Sequence, residues 1–120
     1  MSEPANTSRT TSELLDTYLS TAERWDALQA DAESANRVFE ENHGAYKLLR
    51  QSDQGRAGIA RLMTHPSVGV RLLAATHSLA VAPDDAISVL EAIEIGGGLH
   101  AVTAKYTLRS YRSGKLDLDW

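Results

Sequence analysis

The stretch His65-Pro66-Ser67-Val68-Gly69-Val70-Arg71-Leu72-Leu73-Ala74-Ala75-Thr76-His77-Ser78-Leu79 restricts the fold more than any other part of the chain. Pro66 suits the start of a helix and not its interior, because it lacks an N–H and its φ is fixed. Ser67 beside it is a capping residue. Val70, Leu73, Ala74 and His77 then fall at i, i+3, i+4 and i+7, which is one helical face. Leu72, Ala75 and Leu79 widen that stripe until the helix is apolar on most sides. Such a helix needs neighbours on more than one side, so it is expected to be the central helix of an all-helical domain.

The flanking sequence supplies those neighbours. Thr10-Thr11-Ser12-Glu13 has the spacing of a capping box, and Leu14, Leu15, Tyr18, Leu19, Ala22, Trp25 and Leu28 follow at helical period to about Ala30. Asp31 to Ser34 allows a break or a bend. A second helix is expected from about Ala35 to Arg50, with Val38, Phe39, Asn42, Tyr46 and Leu49 on one side. A third, to about Thr64, buries Ile59, Leu62 and Met63. Gly58 inside it costs roughly 1 kcal/mol of helix propensity, tolerable where a neighbouring helix passes close by. Pro83-Asp84-Asp85 starts a fifth helix, with proline in its first turn and carboxylates at the positive end of the dipole. It carries Ile87, Leu90 and Ile93 to about Ile95. Gly96-Gly97-Gly98 breaks the chain. The sixth helix spans Leu99 to about Arg112, with Leu99, Ala101, Val102, Ala104, Tyr106 and Leu108 expected inward and Gly114 as its stop.

These elements give one all-α domain over residues 12–114. Residues 1–11 are Ser/Thr/Asn-rich and expected to be disordered, and residues 115–120 form a short tail. Connections are short, so consecutive helices are expected to be antiparallel neighbours. The spacing Ala75-x-x-x-Leu79 returns as Ala104-x-x-x-Leu108, about 29 residues later, and Ile59-x-x-Leu62 returns as Ile87-x-x-Leu90. A repeated helix pair of that period points to a short α-solenoid of about six helices in three pairs. Pro66-x-Val68-x-Val70-Arg71 also resembles the turn and second-helix start of a HEAT repeat.

Charge and composition exclude several functions. The chain has no cysteine, so a disulfide framework, a thiolate nucleophile and a cysteine metal site are impossible. No apolar run reaches transmembrane length, and the first residues lack the apolar core of a signal peptide, which gives a cytoplasmic protein as the expectation. The net charge of −4 is concentrated in the first half. Up to Ser52, Arg9, Arg24, Arg37, Lys47 and Arg50 are set against nine carboxylates, whereas from Asp53 on the two signs balance. Nucleic-acid affinity comes mostly from neutralising phosphates, which an acidic chain does poorly.

A resemblance adds to this reading. Asn36-Arg37-Val38-Phe39, Gly55-Arg56-Ala57, His65-Pro66, the run Val70 to Leu79, Pro83-x-x-Ala86-x-x-Val89-Leu90 and Ala104-x-x-x-Leu108-x-x-Tyr111-Arg112-x-Gly114 occur in order. As a set they resemble a small bacterial family known as domain of unknown function two-thousand-nineteen, over about Asn36 to Leu116, with the first helix fitting loosely. Helix four has Leu73 where that pattern has an aromatic residue. The resemblance implies HEAT-like helices and carries no catalytic residues. Because such domains often occur in toxin–immunity settings, it implies a protein that binds and neutralises a toxin.

Candidate sites are few. His77 lies on the apolar face of helix four and reads as a hydrogen-bonded core histidine. His43, His65 and His100 share no metal-ligand spacing with it. No metal and no cofactor are expected. Arg71 reads as structural, paired with Asp84 or Asp85 or bonded to a neighbouring helix end. Gly96-Gly97-Gly98 lacks the strand and the Lys-Ser/Thr of a phosphate loop. Two charged faces stand out. Lys105, Arg109 and Arg112 lie at i, i+4 and i+7 on helix six, which has no acid to neutralise them. Glu13, Asp16, Glu23 and Asp26 crowd the outer side of helix one. Both read as solvated faces or as surfaces for a protein partner. The leading expectation is a non-enzymatic immunity protein that sterically covers a bacterial toxin. Acidic residues of the first two helices, with Asp117 and Asp119, would then oppose a basic toxin such as a nuclease. The alternative is a HEAT-like adaptor for another cytoplasmic protein, contacting it through helix six.

Overall fold

The computed structural model describes residues 10–118. It has six α-helices, one 3₁₀ turn and, among the described residues, no strand. The helices are α1 (Thr11–Ala27), α2 (Ala32–Leu49), α3 (Asp53–Arg61), α4 (Val68–Ser78), α5 (Pro83–Gly96) and α6 (Ala101–Arg112), with the 3₁₀ turn at Leu62–Thr64. The expected disordered tail falls, up to residue 9, outside the described residues, as do Asp119 and Trp120. No helix is long and apolar enough to cross a membrane. The chain divides between Gly58 and Ile59, inside α3, into two compact units.

In the first unit the capping box forms as its spacing predicts. The Thr10 hydroxyl accepts from the Glu13 N–H at 3.0 Å, and Glu13 Oε1 accepts from the Thr10 N–H at 2.9 Å. Leu14, Tyr18 and Ala22, at i, i+4 and i+8, are buried together with Thr21. The break after α1 is a turn, and α2 begins three residues earlier than expected. Asp31 is the reason: its carboxylate accepts from the Ser34 N–H at 3.2 Å and from the Ser34 hydroxyl at 2.8 Å. These bonds hold the Asp31 carboxyl below its ordinary pKa, the side-chain bond from Ser34 contributing most.

The α1–α2 seam is not purely apolar. Asn42 of α2 is fully buried, and its Nδ2 donates to the Tyr18 carbonyl at 2.9 Å and to Thr21 Oγ1 at 3.1 Å. The two Nδ2 bonds tie α1 and α2 at one register, while Oδ1 of the same amide is buried with no hydrogen-bond partner among the described residues. Burial, with Tyr46 close by, pushes the Tyr18 hydroxyl well above its ordinary pKa. Along α2, Phe39 and His43 stack with ring centres 6.1 Å apart, His43 and Tyr46 lie 5.5 Å apart, and the Arg50 guanidinium covers Tyr46 at 5.2 Å. Gly58 has the role the sequence predicts: a Cβ there would meet the tip of the Leu15 side chain, 2.7 Å from its Cδ2, so α1 passes close by and Leu15 would have to shift for any larger residue.

The second unit is built on α4. Ser67 caps it, its hydroxyl accepting from the Val70 N–H at 3.3 Å, and Pro66 precedes the cap. Gly69, Val70, Leu72, Leu73, Ala74, Ala75, His77 and Ser78 are all buried. The 3₁₀ turn and α5 pack against α4, and α6 packs against α5. Pro83 opens α5, with Asp84 and Asp85 in its first turn and Ala86, Leu90 and Ile93 buried. Gly97 and Gly98 take φ of 70° and 86°, values that side chains resist, and so turn the chain into α6.

One expectation for α6 is overturned. Ala104 and Leu108 are buried, but Leu99, Val102 and Tyr106 point outward, with 67%, 61% and 53% of their surface exposed. The helix carries two apolar stripes on different sides, and the stripe through Ala104 and Leu108 is the one that faces its neighbours.

Candidate interaction surface

The charged residues singled out on α6 come together. Lys105, Arg109 and Arg112 line an open groove of about 430 Å³ with Glu94, Leu108 and Ser113. α6 holds no acid, as its sequence says, but one of the three finds one on the neighbouring helix: Arg112 Nη2 donates to Glu91 Oε2 of α5 at 2.6 Å. That partner is 21 residues away and lies on a different helix, so no spacing within α6 reveals it. Arg109 stacks on Tyr106, its guanidinium carbon 5.3 Å from the ring centre. Among the described residues neither Lys105 nor Arg109 has a carboxylate within ion-pair distance.

The acidic face of α1 is less uniform than expected. Asp16 and Glu23 are exposed. Glu13 is held in the capping box, and Asp26 is half-buried. Beside it, sequence reasoning missed an open groove of about 760 Å³. Leu28 and Val38 lie at its base, with Glu33, Glu40 and Glu41 around it. Two arginines in the groove already have partners, Arg24 with Glu41 and Arg37 with Glu33, each at 3.8 Å. The i,i+4 spacing of Glu33 and Arg37 was the available signal.

The residues read as structural keep local roles. Arg71 Nη1 donates to the carbonyls of His65 and Pro66 at 2.8 and 2.9 Å. It closes the turn that delivers the chain into α4, in place of the expected pairing with Asp84 or Asp85. His65 Nδ1 accepts from the Ser67 N–H at 3.0 Å in the same turn. Arg56 does comparable work after α2, donating to the Arg50 carbonyl at 2.6 Å and pairing with Asp53. His77 is buried in α4 and His100 just before α6. Among the described residues no group of His, Asp and Glu is placed to hold a metal ion.

A crystal structure of the protein RPA1889 from Rhodopseudomonas palustris CGA009 is similar to this chain, with a TM-score of 0.81 at 28% identity. The similarity covers 90% of this chain and 93% of that one. No curated protein matches. A family model described as a domain of unknown function, DUF2019, matches residues 13–111. The match takes in nearly all of α1, where the residue pattern alone fitted loosely. All six helices are thus touched by one family signature, and the chain belongs to the DUF2019 family.

Proposed function

We propose that this chain is a non-enzymatic protein-binding domain that acts in the bacterial cytoplasm as an immunity protein, sterically covering a toxin. The observation that supports this most is the outer side of α6 and the turn before it, where Leu99, Val102 and Tyr106 stand in solvent beside Lys105 and Arg109, neither of which has a carboxylate partner among the described residues. Contiguous exposed apolar surface of this kind marks interaction sites far more often than it occurs at random. The helices are read as a short HEAT-like solenoid of antiparallel pairs, supported by the 29-residue recurrence of Ala-x-x-x-Leu. Such an array ordinarily closes its ends with polar faces, and α6 departs from that rule. A rigid helical surface needs no chemistry to block a toxin; it has only to occupy the groove the toxin uses.

The same face favours a second reading, an adaptor that contacts another cytoplasmic protein through α6. Co-expression with the product of a neighbouring toxin gene separates the two. The immunity reading expects survival of the cells and co-purification of the pair. A toxin that kills undiminished, with no complex recovered, would leave the adaptor.

A further inference from the structure

We infer that the outer face of α6 docks a protein partner whose contact surface places carboxylates beside an apolar centre. This deepens the protein-binding reading and rests on it. Val102, Tyr106 and Arg109 follow one another at i, i+4 and i+7 on α6, and Leu99 stands in the turn just before it. The Arg109 guanidinium lies on the Tyr106 ring, which joins the charged and apolar parts of this strip. Ile95, at the end of α5, is 86% exposed. Lys105 flanks the strip on the side of the groove. An aromatic and an arginine in contact beside aliphatic side chains are the composition of an interface centre, where Tyr and Arg supply a large share of binding energy.

The charges select among occupants. A second copy docked on a two-fold axis through this face would gather two Lys105 and two Arg109 side chains into one interface with Glu94 as the carboxylate of each groove, an excess of like charge that disfavours it. A nucleic acid would use the cations but gain nothing from Leu99 and Val102, and it would meet a chain of net charge −4. A protein surface with carboxylates around an apolar centre uses every group on the strip. Arg112, already held by Glu91, keeps the rim of the groove in place.

The test uses the full chain with a benzophenone photo-crosslinker in place of Val102, and separately in place of Asp16 on α1, in cells of the native organism. The cross-linked peptides are identified by mass spectrometry. Cross-links from position 102 are expected to fall in segments where Asp and Glu outnumber Lys and Arg. They are expected to drop at least tenfold when Lys105→Glu and Arg109→Glu are added, with the helical melting curve unchanged. Cross-links from position 102 to a second copy, to nucleic acid, to lipid or to a basic segment would overturn the inference, as would a yield indifferent to the charge reversal. Cross-links only from position 16 would overturn this face and leave the protein-binding reading standing. None from either position would remove both.

Discussion

Both units bury polar side chains, but they differ in how those groups are held and in what they leave outside. In the first, Asn42 is sealed between α1 and α2 and bonded to Tyr18 and Thr21. In the second, α4 buries His77 and Ser78 among apolar neighbours, while Val102 and Tyr106 of α6 and Leu99 just before it stand outside. A buried amide adds little net stability but penalises every misaligned register, because a slipped pairing leaves it without partners. An exposed apolar stripe adds no stability and invites contact. The first departure is explained within the fold. The second has no counterpart among the contacts inside the fold.

Leu73→Asp should have the largest effect on this contrast. It puts a lone charge into the buried face of α4, and a loss above about 4 kcal/mol is expected, enough to unfold the domain. A far-ultraviolet circular dichroism melt close to that of the parent would show that α4 is not the centre of its unit. Asn42→Ala comes next. It strips the amide from the α1–α2 seam, and about 1–3 kcal/mol should be lost in urea unfolding. An unchanged midpoint would mean that the seam is set by shape alone.

Glu13→Lys and Asp16→Lys separate two carboxylates that look alike in the sequence. The first removes the reciprocal half of the capping box, leaves the bond of the Thr10 hydroxyl to the Glu13 N–H, and puts a cation at the positive helix end, so it should cost about 0.3–1 kcal/mol, while the second should stay within about 0.5 kcal/mol of the parent. Equal melting temperatures for the two would contradict the box. The last effect is one of pH and belongs to Asp31. Its folded pKa is lowered by the bonds to Ser34, so its contribution is fully present above the unfolded carboxylate pKa of about 4 and disappears as pH falls through the lower folded value. The melting-temperature gap between the parent and Asp31→Ala should therefore hold at neutral pH and close in acid. A gap that persists at a pH well below the folded value would assign Asp31 some other role.

What was legible in the sequence was local. The Thr10 box, the Ser67 cap, Pro83 and the glycines after α5 each act within a few residues, and each ends or starts a helix where the spacing says. Gly58 was legible too, because a glycine inside a helix calls for a reason and close approach is the common one. The α2 start was missed because two capping residues, Asp31 and Ser34, stand three apart and the earlier one wins by capturing the later. Of the two partners read for Arg71, a distant acid or a neighbouring helix end, the structure has the nearer one, the carbonyls that follow the 3₁₀ turn. Glu91 was not linked to Arg112 because their meeting depends on how α5 and α6 pack. The face of α6 was misread for the same reason. Periodicity finds stripes, but a helix with two stripes needs its neighbours to decide which is turned inward.

The division between the units falls inside α3, a helix of nine residues. Helices that short are marginal in water on their own, so α3 exists only while both units hold their share of it. Melting of either unit releases backbone hydrogen bonds that the other would otherwise keep, and the first turn lost on one side exposes orphan amides or carbonyls on the other. A continuous helix therefore joins the unfolding of the two halves more tightly than a flexible linker would. The chain is expected to behave as one cooperative unit in calorimetry, and a truncation at Gly58 leaves each fragment with a ragged end.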